Sequence, residues 1–247
     1  MLFNTLTANI LTVIFIATVF RSAFGFGESL IAVPLLAIWI PLNVAVPLSV
    51  LVSITIAVIV VIQDWNKIHF KSAGGLIGFT LIGIPIGLLL LIKTDERIVK
   101  ATLGLVISLF SVYLLMGKPL KELKKDSISW LFGCGLLSGI LGGAYGINGP
   151  PLVIYGAKMR WSAQHFRATV QGYFLVASAV GIMGYWLTGL LVPAVFRYYL
   201  LSLPVMVPSV FIGRLVNNRL NSESFFKYVY FILLGIGLFL LVKSVMG

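Results

Sequence analysis

The chain has 247 residues, of which 60% are hydrophobic and only 10% charged. A water-soluble domain carries about 25% charged residues, so this sequence cannot cover a water-facing body, and a soluble enzyme or binding module is excluded. The formal net charge of +11 comes from Lys and Arg at the ends of apolar runs and between them. That is the distribution of topology signals and anionic-headgroup contacts, not the clustered, aromatic-interleaved patch that nucleic-acid binding requires.

Gly, Pro and charge divide the chain into ten apolar segments, at 5–22, 29–40, 42–62, 72–92, 97–116, 128–142, 150–158, 163–187, 193–213 and 223–245. Most approach the ~20 residues that span a bilayer core as a helix. Lipid tolerates no exposed irregular backbone, so the expected fold is all-α and polytopic. The first segment has no basic n-region and no A-x-A cleavage site, and is expected to stay as a membrane segment. The second and seventh are too short to cross 30 Å at 1.5 Å per residue. They are expected to be half-helices following broken stretches, either spanning in pieces or re-entering.

The polar stretch at 117–126 divides the chain near its middle. The expected organisation is a first transmembrane repeat at 1–117, a linker at 118–127 and a second repeat at 128–247. A break at Gly25-Phe26-Gly27 precedes Pro34-Leu35-Leu36, and a break at Gly142-Gly143-Ala144-Tyr145-Gly146 precedes Pro150-Pro151-Leu152. Ile86-Gly87 near the end of the fourth segment corresponds to Ile212-Gly213 near the end of the ninth. Asp95 and Ser222 follow as N-caps of the last segment of each half. Each half holds five segments, or three crossings if its short pair returns. Both numbers are odd, so the second half is inverted, as in many secondary transporters. Basic residues gather at 67–71, 118–125, 158–160 and 214–219 on one side, against Lys93, Arg97, Lys100 and Lys243 on the other. The positive-inside rule puts the linker in the cytoplasm and both termini outside.

Chemistry is expected at the breaks. Arg21 and Glu28 flank the first one inside apolar sequence, where a charge costs several kcal/mol and marks function by default. Gly25 and Gly27 let the backbone unwind. A half-helix starting near Glu28 or Ser29 would aim unpaired N–H groups at the break, a setting that attracts anions. The rival reading has Arg21 snorkelling to an interface and Glu28 merely capping a helix. The second break offers Tyr145, Asn148 and Gly149, with prolines tolerated at the first helical positions. Its rival reading is a tight helix-packing corner. A third group is His165, Arg167 and Gln171. Arg167 and Gln171 are four apart and share a helix face, and Arg supplies a planar fork of donors suited to carboxylate, sulfite or sulfonate oxygens. The corresponding first-half face carries Ser49 and Ser53. Glu28 is the first proton-coupling candidate, followed by His165, which titrates near neutral pH. His69 reads as a loop residue. No catalytic set, no metal-ligand pattern and no nucleotide-phosphate loop is present, and the lone Cys134 has no partner. No cofactor is expected and the chain is not read as an enzyme.

Two stretches are similar to a known family. Phe20 through Gly27 with Pro34-Leu35-Leu36 resembles the first-half signature of the TauE/SafE family of sulfite and organosulfonate exporters. Gly142-Gly143 through Gly149-Pro150-Pro151-Leu152, followed by Phe166-Arg167-Ala168-Thr169-Val170-Gln171-Gly172-Tyr173-Phe174, resembles its second-half signature. The resemblance covers nearly the whole chain, in order. It implies a carrier in the bacterial inner membrane that exports a small sulfur-containing anion such as sulfite, sulfoacetate or a related sulfonate, driven by ion gradients. It puts Arg21 and Arg167 at positions suited to anion contact. Glu28 departs from the family pattern, which often has a small residue there. A carboxylate beside an anion path repels the substrate unless it is protonated or paired.

The expected function is therefore secondary transport of such an anion, with proton coupling through Glu28. The alternatives are a carrier for another small anion such as a carboxylate, an anion channel, and a non-transporting membrane scaffold. The expected partners are the small anionic solute and the lipid bilayer, with no nucleic acid. A homodimer is compatible with a carrier of this size.

Overall fold

The computed structural model describes residues 5–65, 68, 70–117, 122–161, 163–219, 231, 234–235, 237–239 and 241–242. Described residues outside turns and loops are helical, and no strand occurs among them. The helices are α1 (Thr5–Phe24), α2 (Glu28–Leu36), α3 (Leu42–Asp64), α4 (Phe70–Lys93), α5 (Glu96–Leu115), α6 (Ile128–Tyr145), α7 (Gly149–Lys158), α8 (Ala163–Leu187) and α9 (Pro193–Arg219). Six of them (α1, α3, α4, α6, α8 and α9) are long and apolar enough to cross a membrane. Their outward faces carry large apolar residues such as Leu89, Leu109, Trp186 and Phe211. In water such a surface would associate; in lipid it is solvated. The protein is a multi-pass membrane protein.

α2 and α7 have 9 and 10 residues, which gives each about 15 Å of length, half a bilayer core. Both follow breaks where the backbone must enter the left-handed region. Gly27 has φ +94° and Gly146 has φ +68°, a conformation that costs a side-chain-bearing residue energy but glycine little. At the second break the chain turns back. Ser138 Oγ, midway along α6, donates to Asn148 O at 2.6 Å. At the far end of α7, Lys158 O accepts from Leu123 N at 2.8 Å, and Lys158 Nζ lies 4.2 Å from the Trp130 ring centroid. The end of α7 thus sits beside the start of α6, so the chain folds back along α6 at the second break. In the first half, Leu36 and Ile40 share an apolar cluster with Ile10 and Val13 of α1.

The described end of the linker is held by side chains. Asp126 accepts from Ser72 Oγ of α4 at 3.1 Å and from Tyr155 OH of α7 at 2.6 Å. Asp95 caps α5 as expected, accepting from Arg97 N at 2.8 Å. Ser222 and His69 lie outside the described residues, as does most of the tenth segment.

Small residues set the long helix pairs. α1 packs on α9, α4 on α6 and α3 on α8. A Cβ at Gly87 would collide with the α6 backbone at Ile140 and Ala144, and one at Gly213 would press on the α1 backbone at Val19 and Ala23. Close approach of this kind drives helix association in lipid, where apolar burial itself contributes little.

Candidate functional site

The side chains that belong in water gather where the two breaks meet. Gly146 faces Ser29 and Val50, and Gly149 faces the Phe26 ring. Between them lies a cavity lined by Arg21, Gly27, Glu28, Ser29, Ser53, Asn148, Gly149 and Phe174, among others. Its open space is about 10 Å³, room for about one water.

Arg21 is the centre of this cluster. It stands in the last turn of α1 and is only 2% exposed, so it does not snorkel. Nη1 donates to Glu28 Oε2 at 3.4 Å and also to Ser53 Oγ of α3. Nη2 donates to Gln171 Oε1 of α8 at 2.9 Å. The guanidinium carbon lies 4.6 Å from the Phe174 ring centroid, a cation–π placement strengthened by exclusion of water. Nε–H is buried with no hydrogen-bond partner. A guanidinium has five N–H donors, so Nε–H and one Nη2–H stay open.

Glu28 opens α2 and is 1% exposed. Its Oε2 also accepts from Ser29 Oγ at 3.0 Å, and Oε1 accepts from Ser49 Oγ at 2.8 Å. A buried ion pair survives only if its remaining lone pairs and protons find partners, and α3 supplies them through Ser49 and Ser53, one turn apart on one face. Gln171 is held by a second bond, Nε2 donating to the Gly25 carbonyl at 2.7 Å. It thereby fixes the first break to α8 of the other half.

The second break is braced differently. Asn148 Nδ2 donates to Ser138 O at 3.2 Å. Ser138 Oγ accepts from Tyr173 OH at 2.9 Å, and Tyr173 OH also bonds Thr80 Oγ1 at 2.6 Å. Asn148 reaches this seat because residue 142 is glycine; a Cβ there would overlap its amide. The helix N-termini of α2 and α7 border the same cavity.

Of the residues expected from the sequence, the structure brings together Arg21, Gly27, Glu28, Ser29, Asn148 and Gly149 around the cavity, with Gln171 and the Gly25 carbonyl behind Arg21. Tyr145 is buried and does not line the cavity. His165 and Arg167 belong to α8, with Arg167 one turn before Gln171; their side chains lie outside the described residues. The sequence assigns no role to Ser138 or Thr80, and Tyr173 and Phe174 stand there only within the family signature. An aromatic or hydroxyl residue in an apolar run costs little and so gives no signal. Ser49 and Ser53 stand out in the sequence only as a small polar face. No group of three or more metal-ligating side chains occurs among the described residues.

The chain matches the family described as sulfite exporter TauE/SafE over residues 10–240. It is 24% identical over 182 residues, 74% of this chain and 70% of the relative, to a protein of Cupriavidus necator named "Probable sulfite/organosulfonate exporter TauE". No solved structure matches it. A match along almost the whole chain, with a buried arginine held between two broken helices, places this protein in the TauE/SafE family of sulfite exporters.

Proposed function

We propose that this protein is a secondary transporter of two inverted repeats, 1–117 and 128–247, which exports a small sulfur-containing anion such as sulfite, sulfoacetate or a related sulfonate across the plasma membrane. The observation that carries this reading is Arg21, buried at the meeting point of two half-helix N-termini with its Nε–H unpartnered. A planar fork of donors in a dry site suits an oxyanion, and helix N-termini add to the attraction. Arg21, Gly25, Gly27, Ser29, Asn148, Gly149 and Gln171 form the binding region in this reading. Arg167, one helical turn before Gln171 in α8, belongs to the same binding region.

The inverted repeat is supported by the helix pairs. Exchanging α1–α4 with α6–α9 turns the α1–α9 pair into the α6–α4 pair and leaves α3 against α8. The same exchange carries Gly87 on Ile140 and Ala144 into Gly213 on Val19 and Ala23. Alternating access would come from one half rocking against the other. The linker 118–127 is cytoplasmic and both termini are outside in this topology.

Proton coupling runs through Glu28 rather than His165, because Glu28 touches Arg21. Arg21 is the one charged side chain acting on it among the described residues. α3 contributes only Ser49 and Ser53 nearby, and Ser29 is its neighbour on α2. An ionised Glu28 beside a bound anion would leave one excess buried charge, which is costly, so Glu28 takes a proton as the anion loads.

A second reading has one observation in its favour: the group now seated on Arg21 is a carboxylate. A small carboxylate could use the same donors. The test is thermal stabilisation of the purified protein by sulfite, sulfoacetate, isethionate and short dicarboxylates, since a solute that binds only the folded state raises its apparent stability. A selective shift with a sulfur anion, lost in Arg21→Lys, is expected. A shift with a dicarboxylate alone would replace the substrate class while keeping the carrier.

A further inference from the structure

Glu28 does more in this geometry than accompany Arg21. Its two oxygens accept from Arg21 Nη1, Ser29 Oγ and Ser49 Oγ. These are donors from α1, α2 and α3, the kind of set that a small oxyanion would need. Its burial is nearly complete, and the space beside it holds about one water rather than a sulfite or a sulfonate head. The carboxylate therefore occupies the position and the donors of an anion, while joined to the chain.

Resting on the carrier reading above, we propose that Glu28 is a tethered surrogate for the transported anion, which closes and neutralises the empty site so that the carrier returns without cargo. The charge states close the cycle. With the site empty, ionised Glu28 balances Arg21 and the site is neutral. With a monoanion bound, the anion takes over Arg21, using the open Nε–H edge, and protonated Glu28 keeps its seat on the Ser49 and Ser29 hydroxyls. The loaded site is again neutral. Both forms can then reorient through the low-dielectric middle of the protein. A site with Arg21 and no resident carboxylate would be neutral only when loaded. It would reorient with cargo and stall when empty, which is the behaviour of an obligate exchanger. Glu28 thus permits net efflux rather than one-for-one exchange, with a proton travelling alongside each anion.

The experiment uses the full chain in proteoliposomes loaded with labelled sulfite or labelled isethionate. Efflux is measured into buffer alone and into buffer holding an excess of the same unlabelled anion. Wild-type protein should release label at comparable rates in the two conditions. Glu28→Gln keeps the shape and loses the charge. It should retain exchange, while efflux into buffer alone falls by about tenfold or more, since an unpaired charge at membrane depth is costly. It should also half-saturate at a lower anion concentration, because the competitor is gone. Retained exchange certifies that the variant is folded. If Glu28→Gln does not insert, Glu28→Asp decides: shortened by one methylene, its carboxylate sits farther from Arg21 and should slow efflux into buffer alone more than exchange. Equal loss of both modes in whichever variant inserts would overturn the surrogate role, and so would unchanged net efflux. A wild-type protein that moves neither anion in either mode would instead overturn the carrier reading on which the inference rests.

Discussion

Arg21 and Gln171 are 150 positions apart in the chain, and their side chains meet at 2.9 Å in the buried centre of the bundle. Gln171 also binds the Gly25 carbonyl, so one amide holds both the cationic group and the unwound backbone that follows it. Gln171→Leu would leave two buried polar groups without a partner, at about 1–3 kcal/mol each. The expected outcome is a lower melting temperature and a half-saturating anion concentration raised by about tenfold. Melting curves with and without isethionate or sulfite check this, and an anion-induced shift equal to the wild type's would remove Gln171 from the site.

Arg21 and Glu28 should behave as a coupled pair. Arg21→Met strands a buried carboxylate, and breaking a buried pair by removing one partner costs about 3–5 kcal/mol. Arg21→Met combined with Glu28→Gln removes both charges and should recover most of that stability. It should not recover anion-induced stabilisation. A double-mutant cycle on thermal stability measures the coupling; additive losses would mean that the 3.4 Å contact carries no energy.

Gly142 and Asn148 make a second pair, this one steric. A Cβ at residue 142 overlaps the Asn148 amide, so Gly142→Ala must push Asn148 from its bond to Ser138 and reshape the second break. Transport should fall at least as far in Gly142→Ala as in Asn148→Ala, and the double variant should be no worse than Gly142→Ala alone. Initial rates of anion flux in the three variants decide it, and additive defects would separate the two residues.

The topology can be read with thiols, because Cys134 is the only cysteine and is buried. In a Cys134→Ala background, Lys124→Cys in the linker should react with a membrane-impermeant maleimide only after cells are opened. Thr94→Cys, in the turn between α4 and α5, should react in intact cells. The reverse pattern would turn the molecule over.

Some of this was legible before any fold was known. Composition alone demands a bilayer, because so few charged residues cannot cover a soluble body. The breaks at Gly25–Gly27 and Gly146–Asn148 are visible because helix-breaking residues in an apolar run are local events, although α6 continues through Gly142–Tyr145, where the sequence suggested the second break. Arg21 and Glu28 stand out because a charge in such a run is costly wherever the run is placed. These conclusions depend on a few consecutive residues and the cost of transferring them from water to lipid.

Partner choice was not legible. Whether Ser49 or Ser53 meets Arg21, whether Gln171 reaches across from the other half, and whether Tyr145 lines the cavity all depend on helix rotation and depth. Each residue advances an α-helix by about 100°, at 3.6 residues per turn, and sequence-based boundaries are uncertain by more than that. The return of α7 to the start of α6 likewise rests on the contacts of Leu123 and Trp130 with Lys158, made across the fold. Local pattern is enough to show charge and helix-breaking residues inside apolar runs. Only the packing of α3 and α8 against the first break decided which groups satisfy them, because hydrogen bonds between helices exist only at one relative rotation and height.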